Sequence, residues 1–392
     1  MEFEFSLKTK TVVGQGSISK IIPFIEENHY KKVGLIIDQA LKENAFVNSF
    51  LGELEKANVI AVKWYYDLPF EPDYRSLDRV KLLFKEENTS KVDAIIAIGG
   101  GSVMDFGKGI ATLVVNHEPA LTYRGFPKKL VPSIPVIAVP TTAGTASEVT
   151  FNAVFTDTDS GKKLGINTHN NFPVLAVLDS NMTMNCPFNV ALSSGLDALV
   201  HTFESFACKN SSLYTRLFAK EAFALLYHNI ENAIKDPYDS QSRENMLFGA
   251  YLAGISLFNA GSGPAGALSY PMGVVCKIPH GIAGGFILPY LIEFNLQNGY
   301  TEYADLYNSA FANLGEEVPL TNKEKAEVVG SKIFELYEKL NVWGLVSKYQ
   351  IDISNKQLND YIDALQGAFD QNPIKITTDA GKAFLKKIYE KK

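Results

Sequence analysis

Ile95-Ile96-Ala97-Ile98-Gly99-Gly100-Gly101-Ser102-Val103-Met104-Asp105 reads as a buried strand, a glycine turn and the start of a helix. Glycines let a backbone turn sharply and let an anion approach the amides. A helix N-terminus adds free N–H groups and the positive end of a dipole, which together suit a phosphate. A plainer reading is that Ser102 caps the helix and Asp105 completes a capping box. The element follows the third strand of the chain rather than the first, and it lacks the GxGxxG spacing of the usual dinucleotide fingerprint.

The same alternation continues on both sides. Strands are expected at Val33–Ile37, Val59–Tyr65, Asp93–Ile98, Pro135–Val139 and Leu175–Asp179, with helices at Leu41–Lys56, Tyr74–Glu87 and from Ser102. Strands alternating with helices predict βαβ units and a parallel sheet. From about Ala191 the pattern changes to a period of 3.6, over Ser212–Ile230, Arg243–Phe258, Asn322–Leu340 and Asn355–Phe369. The expected fold is an α/β domain with a parallel sheet over residues 1–185, then an all-α domain over residues 186–392. A chain of 392 residues fits two domains.

Bulk properties exclude several classes. A net charge of −6 gives no basic stripe for nucleic acid. No apolar run approaches the ~20 residues of a membrane span. The acidic start Met1-Glu2-Phe3-Glu4-Phe5 has no basic leader region, and Cys186, Cys208 and Cys276 are few and scattered. A cytoplasmic protein is expected.

Three further elements carry chemistry. Pro140-Thr141-Thr142-Ala143-Gly144-Thr145-Ala146-Ser147-Glu148 is a second small-residue loop after a buried strand. Asp38 ends the first of the predicted strands, where a carboxylate accepts hydrogen bonds from a ribose diol or caps the next turn. Asp197 and His201 stand four residues apart in Ser194-Gly195-Leu196-Asp197-Ala198-Leu199-Val200-His201, and His280 lies in Lys277-Ile278-Pro279-His280-Gly281. An i, i+4 pair on a helix shares one face, and imidazoles with a carboxylate form a ligand set for a divalent metal. Taken alone, Asp197 and His201 more often describe a surface pair or a satisfied buried pair than a metal site.

These motifs, in order, resemble the iron-containing (group III) alcohol dehydrogenases with the dehydroquinate-synthase-like fold. The resemblance starts at Val12-Val13-Gly14-Gln15-Gly16 and runs through Gly99–Asp105, Pro140–Thr150, Asp197–Ser205 and Ile278–Asn295 to Asn372-Pro373. It implies an NAD(P)-dependent oxidoreductase moving a hydride between nicotinamide and an alcohol carbon in the cleft between two domains, with iron or zinc polarising the oxygen. It places Asp197, His201 and His280 on metal ligands. Gly99, Gly100, Gly101, Ser102 and Asp105 fall on the diphosphate site. Thr141, Thr142, Ser147 and Lys163 fall on cofactor contacts, and Asp38 on the acidic residue that favours NAD over NADP. A homodimer or larger assembly acting on a small alcohol or aldehyde is also implied.

The chain departs from the family where relatives carry His-x-x-x-His-Pro. Gly266 stands at the first histidine, a metal ligand, and Tyr270 at the second, near the substrate; Tyr290 replaces a further histidine. An ion would therefore be held weakly or not at all. In a metal-free reductase His280, His201 or Tyr270 would give the proton to the alkoxide. The altered pocket favours a polar substrate over a simple alkanol. The competing classes are an NAD-using cyclase or lyase resembling dehydroquinate synthase and a degenerate nucleotide-binding protein.

Overall fold

The computed structural model describes residues 3–68, 72–85, 91–160, 162–184, 186–312 and 320–391. The chain forms two compact units, Leu7–Cys186 and Met1–Ser6 with Pro187–Lys392.

In chain order the first unit contains β1 (Lys10–Val13), α1 (Ile21–Glu27), β2 (Val33–Asp38), α2 (Ala45–Lys56), β3 (Ile60–Tyr66) and α3 (Tyr74–Val80). It continues with β4 (Ala94–Gly99), α4 (Gly101–Leu113), β5 (Val136–Pro140), β6 (Thr156–Asp157), β7 (Lys162–Lys163) and β8 (Leu175–Leu178). Six strands form one sheet in the order β1-β8-β5-β4-β2-β3, and every pairing in it is parallel. β4 is buried along its whole length. A parallel strand covered on both faces reads as a continuous apolar run, which is why the sequence announced it. Leu35, Ile37, Ile96 and Ile98 pack on one face with Val47 and Phe50 of α2. Ile36 and Ile95 pack on the other with Leu77 of α3 and Phe106 and Ile110 of α4.

Some details differ from the expected pattern, among them the helix expected over Asn355–Phe369, which is split into Lys356–Asp363 and Gln366–Phe369. β1 was not among the expected strands, yet it pairs with β8 at the sheet edge. The helix expected over Tyr74–Glu87 is α-helical only to Val80 and continues as a 3-10 turn over Lys81–Phe84; its last two residues lie outside the described residues.

The chain reverses direction across the sheet between β2 and β4. From β2 it steps outward to β3, then returns to β4 on β2's other side and proceeds to β5 and β8. Ligands of open α/β sheets bind beyond the strand C-termini at such a switch point. Ile37 pairs with Ile98 in register, so Asp38 and Gly99 follow side by side at that place.

Among its described residues the second unit contains helices and no strand: α5 (Phe188–Ala207), α6 (Leu213–Lys235), α7 (Ser240–Ala260), α8 (Pro264–Cys276), α9 (His280–Gln297), α10 (Ala304–Ala310), α11 (Asn322–Lys339), α12 (Lys356–Asp363), α13 (Gln366–Phe369) and α14 (Thr378–Tyr389). The fold is thus an α/β domain with a six-stranded parallel sheet followed by an all-α region. No helix among the described residues is long and apolar enough to cross a membrane.

Candidate functional site

The glycine turn in the first unit is built for close approach, not for unusual backbone angles. None of Gly99, Gly100 and Gly101 has a positive φ. A Cβ on Gly101 would sit 2.6 Å from the Thr145 side chain, and one on Gly99 would sit 2.6 Å from Val103. The turn is therefore pressed against the Thr141–Ser147 loop, and Thr141 N–H donates to the Gly99 carbonyl at 3.0 Å. The capping expectation needs correction. The N-cap of α4 is Gly100 and no side chain caps it, so the first-turn amides are left without a side-chain acceptor.

Asp105 points elsewhere. Its carboxylate accepts from Ser147 Oγ at 2.6 Å and from Val154 N–H at 2.9 Å. Lys108, fully buried one turn on, donates to Ser147 Oγ at 2.6 Å and to the Asn152 carbonyl at 2.8 Å, and lies 3.6 Å from Asp105. Burial raises the Asp105 carboxyl above its ordinary range and lowers the Lys108 amine, while each partly offsets the other. The neighbouring Glu148 is pushed up to about 7, again chiefly by burial. Ser147 thus spends its hydroxyl inside this network, which pins α4 to the 141–152 loop. Sequence reasoning missed Lys108 and Glu148; the only available signal was a lysine on the helix face of Asp105.

Asp38 both ends β2 and caps the following turn, accepting from Ala40 N–H at 3.0 Å through one oxygen. Lys163 lies on β7, which pairs antiparallel with β6.

In the second unit, α5, α8 and α9 bring the other residues together. Asp197 and His201 are buried on α5. His280 opens α9 behind Pro279. The approach of α9 to α5 depends on Gly281, where a Cβ would fall 2.0 Å from the Ser193 carbonyl oxygen and 3.0 Å from Asp197 Cβ. As a result Asp197 Oδ1 lies 3.6 Å from His201 Nε2 and 3.8 Å from His280 Nε2. Two donors each about 2.0–2.1 Å from a tetrahedral ion are roughly 3.4 Å apart. These two edges therefore match a shared ion to within a few tenths of an ångström. As they stand, no three His, Cys, Asp or Glu side chains among the described residues are gathered tightly enough to hold an ion, so the trio must draw in to do so. Tyr270 on α8 meets His280 edge to face, with ring centroids 5.0 Å apart. Tyr290 instead packs with Trp343 and Phe334 in the helical core.

Glu204 is the residue the sequence reading left out on α5. It shares a helix face with Asp197 and His201, and it is buried. Its carboxylate accepts from the amides of Gly263 (2.9 Å), Ala265 (2.6 Å) and Gly266 (3.2 Å) and from Ser262 Oγ (2.8 Å). It therefore caps the N-terminus of α8, where four amides have no partner within the helix. Burial raises its carboxyl pKa; the Ser262 hydroxyl and these amides oppose that. A Cβ on Gly266 would lie 2.6 Å from Ser262 Oγ and 2.9 Å from Glu204 Oε2. Replacing Gly266 by histidine is thus expected to cost about 1–3 kcal/mol in stability before any gain in metal affinity. Chemical denaturation alongside metal analysis of both proteins checks this, and an undiminished midpoint would contradict it.

The first unit is a parallel-sheet domain with a glycine turn at its switch point, and the second is a helical unit that brings one carboxylate near two imidazoles. The family model for iron-containing alcohol dehydrogenase matches residues 8–180, and that for the C-terminal part of the Fe-containing alcohol dehydrogenase family matches residues 191–389. The chain belongs to the iron-containing alcohol dehydrogenase family, and its reaction is the interconversion of an alcohol with an aldehyde or ketone. It is 31% identical to the probable alcohol dehydrogenase EutG of Escherichia coli over 74% of this chain and 73% of that protein. It is 29% identical to the NAD-dependent methanol dehydrogenase of Bacillus methanolicus over 74% and 76% of the two chains. The crystal structure of a 1,3-propanediol oxidoreductase superposes with a TM-score of 0.86 at 26% identity, covering 99% of this chain and 100% of that one. The cyclase and degenerate readings are not favoured by these relatives.

Proposed function

We propose that this protein is an NAD-preferring aldehyde reductase or alcohol dehydrogenase with a weakened ion site, acting on a small substrate that carries a second polar group. The observation that carries the reading is the convergence of His201 Nε2 and His280 Nε2 on Asp197 Oδ1. Asp197, His201 and His280 would hold one divalent iron or zinc ion, which when bound supplies Lewis-acid stabilisation of the substrate oxygen. Three protein ligands leave the rest of the ion's positions to small oxygen donors. Gly266 adds no side-chain donor, so the ion is held weakly. Tyr270 places a phenol beside His280 in place of a second imidazole, and that exchange supports a polar substrate.

In the first unit the amides of Gly99–Ser102 would hold the dinucleotide diphosphate, helped by the Thr141 and Thr142 loop. Lys163 would add a cation to the cofactor, and Asp105 and Ser147 would hold the two loops in place from behind. Asp38 would accept from the adenosine ribose. The scattered free thiols Cys186, Cys208 and Cys276 support a cytoplasmic setting, and the family membership supports a homodimer or larger assembly.

The test is NADH oxidation by the purified protein against a panel of alkyl and hydroxy- or acid-bearing aldehydes. The protein is first dialysed against chelator and then resupplied with Fe²⁺ or Zn²⁺. Stoichiometric NADH consumption restored by metal is expected, with higher kcat/KM on the polar aldehydes. Absence of turnover across the panel and both metals would sink the reading. In the same assay Asp38→Gly should lower the NADH-over-NADPH preference about tenfold, near 1.4 kcal/mol. Equal use of the two cofactors by the unmutated protein would remove Asp38 from its role.

A further inference from the structure

Inside the first unit two acids share one base. Lys108 and Glu148 are buried, and the Asp105 side chain is 15% exposed. Lys108 Nζ faces three accepting oxygens: Ser147 Oγ, the Asn152 carbonyl and, at 3.6 Å, Asp105 Oδ1. Three acceptors suit an ammonium group, which has three protons to give. Each oxygen of Asp105 has its own donor, Ser147 Oγ on one and Val154 N–H on the other, and a carboxylate so supplied keeps its charge. Lys108 and Asp105 therefore cancel, and Glu148 is the carboxyl left over. Among the described residues its carboxylate receives a hydrogen bond only from its own backbone N–H. An uncompensated buried charge is costly, and a carboxyl so placed escapes the cost by taking a proton. Within this unit α4, β5 and β8 pack most closely on the Ser147–Val149 turn. Of the three only α4 brings charged side chains, Asp105 and Lys108. Asp179, next after β8, spends its carboxylate on the amides of Gly16, Ile18 and Asn181.

The loop that carries Glu148 also backs the glycine turn. Thr145 presses on Gly101, and the Thr141 amide bonds the Gly99 carbonyl. A diphosphate on the Gly99–Ser102 amides brings negative charge to this turn. Ionised Glu148 leaves the neighbouring cluster one negative charge in excess, and like charges at close range disfavour each other.

We propose that dinucleotide binding is proton-linked through Glu148: the carboxylate takes a proton from solvent when the cofactor binds, and its ionised form weakens the site. The residue acts through the charge of the buried cluster. The inference rests on the diphosphate site proposed above and needs neither metal nor substrate. Burial pushes the Glu148 carboxyl up to about 7. Below that pH the group is already neutral and binding draws no proton. Above it each binding event must pull one on, so affinity falls as pH rises.

The experiment titrates the full-length, chelator-treated protein with ADP-ribose by calorimetry. That ligand has the diphosphate and no group that titrates between about pH 6 and pH 8.5. Kd should rise about three- to tenfold across that interval. Near pH 7.5, heats measured in HEPES and in Tris, which differ in ionisation heat, should reveal a fraction of a proton taken up per ligand bound. Glu148→Gln fixes the neutral form. Its Kd at high pH should stay near the low-pH value, and the uptake should vanish, with circular dichroism confirming the fold. Zero uptake by the unmutated protein overturns the proposal whether or not the variant folds. So does an unchanged pH dependence in folded Glu148→Gln. Equal ADP-ribose affinity at every pH sinks the linkage and leaves the diphosphate site standing, whereas no binding at any pH sinks both.

Discussion

His280→Gln is expected to lower kcat/KM by roughly 10²–10⁴-fold, a span like that of losing a positioned catalytic group, because it removes one of the three side chains that would hold the ion. The loss should fall on kcat more than on KM, because the ring acts on charge that develops during the reaction. Stability should change little. The side chain is about one-third exposed, so little apolar area leaves the core, and glutamine keeps a polar group beside Ser269. Steady-state kinetics and a thermal unfolding curve on the same preparation make the distinction. A variant within tenfold of the unmutated enzyme would show that His280 lies outside the reaction, whatever its distance from Asp197.

Lys108→Met should produce the largest loss of stability, about 3–5 kcal/mol, because it strands buried carboxylates without their cation. Methionine approximates the volume of the lysine stem, so the effect reports charge and hydrogen bonding. Its pH dependence has a definite sign. Lys108 lowers the pKa values of Asp105 and Glu148 against the burial that raises them. Without it both rise further in the folded state. A group whose folded pKa is raised contributes stability present at low pH and lost as pH climbs through that value. The deficit should therefore be smaller at pH 5.5, where these carboxyls are closer to neutral, than at pH 8. Urea unfolding at the two pH values measures it. A loss below about 1 kcal/mol, or one that shrinks toward pH 8, would mean the lysine is a passenger.

How legible all this was depended on the range of the interaction. β2, β4, β5 and β8 could be read because a strand buried on both faces must be apolar at every position. β1 has four residues, two of them exposed, and draws its identity from pairing with β8 more than 160 positions away. Asp197 and His201 were visible as a pair because helical spacing alone puts them on one face. Glu204 continues the same face, but its partners are backbone amides of another helix, and amides leave no trace in sequence. The glycine turn was legible as a run of three glycines after an apolar strand; its tight contact with Thr145 and Val103, which excludes larger residues at Gly101 and Gly99, was not.

The Glu204 cap on α8 also bears on what position 266 can hold. The space beyond the Gly266 backbone is taken by Ser262 Oγ and Glu204 Oε2, which are bonded to each other. A histidine at position 266 would meet both at once. A change at Ser262 eases that crowding, but Ser262→Gly by itself forfeits a bond to a buried carboxylate. The two positions are thus coupled: a side chain at position 266 is easier to accommodate once position 262 has changed.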